Sequence, residues 1–290
     1  MTLSVIWLRD IDHLRTAAAG EDVLYISSPA VLKKLSLGYD GLLADIYWTR
    51  AVQYFGSKHH EGSSNYKLLA PLLEITTTLD PHLLPAYEYG ASFLAPAPPY
   101  GAGMPDKAVA LEEYGIRNNP CEWRLYYQLG FIYATDLKDY GRAARAFQQG
   151  SELPNAHPWM KVLAAQMAEH GGDLATARLL WTTTYESTQD RNIRENAAAH
   201  LRALQVDEEV GQLEQAAATF RTKTGHWPQS FAELQEAGVL RGRPVDPLGH
   251  PYRLQSDGKV LLEDPENFPF VMRGLAEGYH PSMAKFPSHS

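Results

Sequence analysis

A small residue followed four positions later by a large aromatic recurs in this chain at a spacing of 34 residues, first as Ala143 and Phe147, then as Ala177 and Trp181. Residues four apart lie on one face of a helix, so each pair marks a helix that meets a neighbour closely. Ahead of the first pair, Tyr126, Leu129, Gly130 and Tyr133 fit one helix, and Pro154 follows the second. Gly130 lacks a side chain and lets the second helix approach. Ala143 fills the matching shallow site and Phe147 covers it. A period of this length constrains the fold more than any composition, because each unit buries its apolar face only against the next.

Two weaker copies precede these. Tyr89, Gly90 and Phe93 fit a first helix, Ala108 a second, and Pro120 its end; Gly90 lies 40 residues before Gly130, and the loop 95–105 absorbs the surplus. Trp48, Ala51, Val52 and Phe55, then Leu69, Leu73 and Pro81, make the earliest copy, with extra residues in the polar stretch 56–65. The third copy places Tyr126, Leu129, Gly130, Tyr133, Ala143, Phe147 and Pro154 where a tetratricopeptide repeat has Trp, Leu, Gly, Tyr, Ala, Phe and Pro. The chain resembles that family. An irregular helical bundle with small residues at ordinary crossings is the alternative.

The resemblance implies a mainly α fold, an α-α superhelix of about four hairpins over residues 41–190, whose first helices line a concave groove for a protein or peptide partner. Along those helices the outward positions are Thr49 and Gln53, Tyr87 and Ala91, Arg124, Tyr127 and Phe131, then Val162 and Gln166. From these we take Arg124, Tyr127, Tyr87, Phe131, Gln53 and Gln166 as candidate partner-binding residues, since Tyr and Arg combine area, hydrogen bonding and charge. Packing against neighbouring hairpins is the competing role for Tyr87, Tyr127 and Phe131.

Residues 1–40 read as an N-terminal extension, which allows for a membrane tether upstream of this chain. Residues 191–224 carry apolar positions Leu201, Leu204, Val210, Leu213, Ala217 and Phe220. They read as capping helices broken at Gly211 or near Asp207, a closure that an array needs at its end. Next come Thr224, Gly225, Trp227 and Pro228, then Asp246, Pro247, Leu248, Gly249, His250, Pro251 and Tyr252. This run resembles the start of the small sheet domain of type II secretion major pseudopilins and predicts a small α/β module over 225–265. Gly225 takes positive φ, Asp246 to Gly249 make a tight turn, and Tyr252 to Leu262 make a hairpin around Ser256 to Lys259. Leu248 departs from the family's large aromatic, the long apolar anchoring helix is missing, and turn caps account for Asp246 and Asp257 better than a metal site does. The tail 266–290, with Phe268, Phe270, Met272 and Phe286, is too apolar for a solvated segment and should lie on the protein's own helical surface or in its own groove, as a candidate autoinhibitory segment or ligand mimic.

A net charge of −8 without a basic run argues against nucleic acid. The fifty residues from Arg241 hold six basic and six acidic side chains, so the excess acid lies in the helical body. The lone Cys121 excludes an internal disulfide. The apolar run Leu3 to Leu8 is short for a signal peptide core, and nothing approaches a membrane span. His59, His60 and Glu61 are the densest group of potential metal ligands, but they lack the helical i, i+4 spacing of a zinc site and fall in a polar loop. No nucleophile or phosphate-loop motif is present. The expectation is a noncatalytic scaffold or adaptor without cofactor or metal, in cell-envelope, pilus or secretion-apparatus assembly by the pseudopilin resemblance. A general adaptor unconnected with secretion, and therefore also compatible with the cytoplasm, is the first alternative. A metal-dependent hydrolase centred on His59 is the second.

Overall fold

The computed structural model describes residues 28–279 and is mainly helical, with two compact units, Met1–Ala156 and His157–Ser290. The apolar run Leu3 to Leu8 and the last tail residues, Phe286 among them, lie outside the described residues.

The first unit contains α1 (Pro29–Leu35), α2 (Asp40–His60), α3 (Leu69–Leu79), α4 (Leu84–Leu94), α5 (Pro105–Asn118), α6 (Trp123–Phe131) and α7 (Tyr140–Ser151). Proline within the first two positions opens α1, α4 and α5, where its fixed φ suits the first turn and its missing N–H is not needed. Glu122 and Asp139 accept backbone N–H groups at the starts of α6 and α7. A single π-helical turn, Ile132–Asp136, extends α6 before the chain reverses. Helices α2 and α3, α4 and α5, and α6 and α7 form three hairpins; α3 also meets α4 and α5, and α6 meets α4 and α5. Their shared core is built around Tyr66, Leu69, Leu73, Ile75, Tyr87, Leu94 and Leu125. Helix α1 packs on α3, burying Leu32, and Lys33 donates to the Thr78 carbonyl at 2.9 Å.

Glycine sets the spacing within the third hairpin. A Cβ on Gly130 would stand 2.6 to 2.8 Å from three ring atoms of Phe147, while Ala143 is fully buried beside it in α7. In the second hairpin, Gly115 meets the Tyr87 ring in the same way, at 2.7 Å. The aromatic slot four residues after Ala108 is there filled by Glu112, which is wholly buried.

Contrary to expectation, residues 56–60 are not loop. Helix α2 continues through His60, with His59 stacked on Phe55 at 5.6 Å. An i, i+4 ring contact and a basic last turn stabilise a segment whose polarity had suggested irregular structure.

The second unit contains α8 (Trp159–His170), α9 (Leu174–Ser187), α10 (Arg191–Thr224), α11 (Phe231–Glu236), β1 (Arg253–Leu254) and β2 (Val260–Leu261). Asp173 and Asp190 cap α9 and α10 through backbone N–H groups. Helices α8 and α9 form a hairpin, and both touch α10. The expected pair of capping helices is one unbroken helix of 34 residues. Glycine within a helix costs only about 1 kcal/mol. Along α10, Ala203, Val206, Val210 and Leu213 are buried against Tyr252, Val260, Leu262, Phe268 and Val271, which outweighs that cost.

Gly225 ends α10 at φ 84°, its N–H bonded to the Arg221 carbonyl. The turn at Asp246 forms through its Oδ1, which accepts the N–H groups of Leu248 and His250. Strands β1 and β2 pair antiparallel, with Arg253 opposite Leu261 and Leu254 opposite Val260. Gly258, at φ 84°, lies under the Trp227 ring, where a Cβ would approach to 2.4 Å. The described part of the tail lies on α10: Phe268 and Val271 are buried there, and Asp207 accepts the N–H groups of Met272 and Arg273 at 3.0 and 2.7 Å.

Candidate functional site

The first helices of the hairpins do not present the expected residues equally. On α6, Trp123, Tyr127 and Phe131 recur every four residues and form an edge-to-face ladder, with ring centroids 6.1 and 4.7 Å apart, that continues into Phe147 at 5.3 Å from Phe131. Tyr127 and Phe131 are half-buried, so each has both a packing face and a wet edge. Arg124 is exposed; its guanidinium pairs with Glu122 at 3.0 Å and lies 4.8 Å from the Trp123 ring centre. Gln53 is exposed on α2, as is Thr49. Gln166 is half-buried in the second unit, where its carbonyl meets His170 Nδ1 at 2.8 Å.

Tyr87 faces no groove. It is fully buried, its ring against Gly115 and its hydroxyl donating to the Pro81 carbonyl at 3.0 Å. Burial pushes that hydroxyl well above the usual tyrosine range. Helix α4 packs on α3, α5 and α6, which leaves little of its surface free, and Ala91 is buried for the same reason. Val162 on α8 is likewise buried. Sequence reasoning missed Trp123, although its spacing to Tyr127 and Phe131 was the available signal.

A cavity of about 670 Å³ opens between α3 and α5, the second helices of the first two hairpins. Its floor is Leu73, Leu94 and Leu111, with Ala70, Pro71 and Met104; Lys67, Glu74, Lys107, Tyr114 and Arg117 stand around it. The size is that of a small-molecule pocket.

Titratable groups are buried in both units. Neither carboxyl oxygen of Glu112 has a hydrogen-bond partner, and burial, reinforced by Glu88, pushes its pKa well above the carboxylate range. In the second unit Glu169 Oε2 accepts the Trp181 indole N–H at 3.0 Å and meets His200 Nδ1 at 2.9 Å. The His200 ring lies between Trp181 and Phe270, at 4.1 and 3.7 Å. Asp207 has its pKa pushed up to about 6 by burial, against the opposing pull of the Arg273 and Met272 N–H groups.

His59 and His60 are exposed at the end of α2, and Glu61 pairs with Lys58 at 3.3 Å. Among the described residues no three His, Cys, Asp or Glu side chains converge on a common point, and no helix is long and apolar enough to cross a membrane. No family model and no curated protein matches this chain.

Proposed function

We propose that the chain is a noncatalytic protein-interaction scaffold of the tetratricopeptide type, whose first-helix face, with Gln53, Arg124, Tyr127 and Phe131, receives a protein or peptide segment. The observation that carries this reading is the seat of Phe147 over Gly130, the close approach from which hairpins of that family are built. An exposed Arg124 beside an aromatic ladder supplies the anchor chemistry of a protein interface. The second reading places that scaffold in cell-envelope or secretion-apparatus assembly. The left-handed Gly225, the Asp246 turn and the short β1–β2 hairpin follow in the order in which pseudopilin-like modules carry them.

One experiment tests both. A photo-crosslinking residue is placed at Gln53, at Arg124 and, as control, at the exposed Arg145 of α7, in the full chain in its native cell. One protein captured at Gln53 and Arg124 but not at Arg145 is the expected result. Equal capture at all three positions, or none at the first two, refutes the scaffold face. If the captured protein is no envelope component, the secretion reading falls and the adaptor reading remains.

A further inference from the structure

We propose that the cavity between α3 and α5 is a binding site for a free amphiphilic anion, a single aliphatic chain carrying a carboxylate or similar headgroup. The inference rests on the first unit alone and goes beyond the scaffold reading.

Charge is the first argument. The whole chain carries −8, yet the cavity is bordered by three cations, Lys67, Lys107 and Arg117, against one carboxylate, Glu74. None of the three makes an ion pair among the described residues, although ion pairs are common elsewhere on the surface. Cations left unpaired around a concavity in an acidic protein set up a local attraction for anions.

Placement of those charges is the second argument. Helices α3 and α5 are each the second member of a hairpin and run in the same direction, since Asn119, just past α5, donates to the Pro81 carbonyl just past α3 and meets His82 at 2.8 Å. Lys67, just before α3, and Lys107, in the first turn of α5, therefore stand at one end of the cavity, where the positive ends of both helices add to their field. Glu74 stands midway along α3, disfavouring an anion there and directing the headgroup to the lysine end. Arg117 is at the far end, 5.7 Å from the Tyr114 ring centre.

Apolarity is the third. The floor between those ends is made by Leu73, Leu94 and Leu111, which suits a hydrocarbon body and offers little to a sugar or nucleotide. A volume of about 670 Å³ holds one small ligand and is too confined for a packed helix of a partner protein.

Dodecanoate is the probe, titrated below its micelle concentration by calorimetry into the full chain. Saturable binding at one site is expected. Lys67→Glu/Lys107→Glu should weaken it at least tenfold, and Ala110→Trp, which fills the cavity from an exposed position on α5, should abolish it. Dodecyltrimethylammonium should bind far more weakly. Comparable binding of that cation, unchanged binding to the Ala110→Trp protein, or no saturable binding would overturn the proposal. Binding to phosphatidylglycerol vesicles without binding to monomeric dodecanoate would overturn it too, since the site would then be a membrane surface.

Discussion

Replacing Gly130 by alanine adds one methyl group where the structure has no room for it. The new Cβ would lie 2.6 Å from the nearest Phe147 ring atom, and ordinary contact begins near 3.4 Å, so ring and helix must separate by ~0.8 Å. The obstruction is a stiff ring, itself 1% exposed and wedged against Tyr127 and Phe131, and it has no soft end to yield. Overpacking of this kind costs about 1–3 kcal/mol. We place this site at the upper end and subtract the ~1 kcal/mol of helix propensity that alanine gains over glycine. The expected net loss is about 2 kcal/mol, or roughly 4–8 °C in Tm. Gly211→Ala is the internal control. There the Cβ meets only the end of the Arg273 side chain at 3.5 Å, so the propensity term stands alone and should stabilise by about 0.5–1 kcal/mol. Urea unfolding, with hydrogen exchange to assign the change to α6–α7 or to α10, reads both. Gly130→Ala/Phe147→Leu should recover part of the loss, because the clash is with the ring. Equal or greater stability in Gly130→Ala would refute the close-packing account of the repeat.

The two unusual carboxylates give opposite kinds of test. Glu112→Met fills the same buried volume without a group that needs a partner, and should stabilise the first unit by about 1–3 kcal/mol at pH 7. That advantage should shrink on acidification, because the raised folded-state pKa means the native protein holds the proton more tightly than the unfolded chain. A destabilised Glu112→Met protein in thermal melts would show that the carboxyl is hydrogen-bonded in solution. For Asp207, the native group titrates near 6 and the unfolded group near 3.8, so the folded state binds more protons between those values. Its contribution to stability is greatest below pH 4 and is lost as pH rises through 6, by up to ~3 kcal/mol. Asp207→Asn keeps the acceptor for Met272 and Arg273 but removes that pH dependence. Urea midpoints from pH 4 to 7 that slope alike in both proteins would refute the assignment.

The hairpin pattern was legible because it is carried by residues close in sequence, one glycine and a small-aromatic pair within about 20 positions. The turns of the C-terminal module were legible for the same reason, since Gly225, Asp246 and Gly258 each act within a few residues of themselves. Tyr87 shows where such reading stops: the same aromatic suits a groove or a core, and only its seat against Gly115 of α5, 28 positions on, decides for the core. Gly211 was overweighted because sequence shows the local cost of glycine and not the apolar contacts that outweigh it. Glu112 was visible all along as the one charged residue in an aromatic slot. The cavity, by contrast, is made by side chains from helices that are not consecutive, and the pairing of Asp207 with Met272 and Arg273 spans 65 residues or more, so no local spacing encodes either.

Burying Asp207 is unfavourable on its own, and apolar contacts alone would hold the tail on α10. Phe268, Phe270 and Val271 would pack nearly as well if the segment slid by a residue, since apolar attraction has no direction. Two N–H groups converging on one carboxylate oxygen do have direction, and a slip by one residue would break at least one of these bonds and leave a buried charge short of donors. His200 adds a second reference point of another kind: its Nδ1 meets Glu169 of α8, which sets the angle of the ring, and Phe270 of the tail stacks on that ring at 3.7 Å, opposite Trp181. His200 and Asp207 lie on one face of α10, seven residues apart, which is two helical turns, so the Phe270 stack and the paired N–H bonds meet the tail from the same side. Together they fix where along α10 the tail sits and which way it faces, while the surrounding apolar residues supply the affinity. On this reading the raised pKa of Asp207 is the local cost of a single register for the C-terminal segment, and sequence patterning alone could not have specified that register.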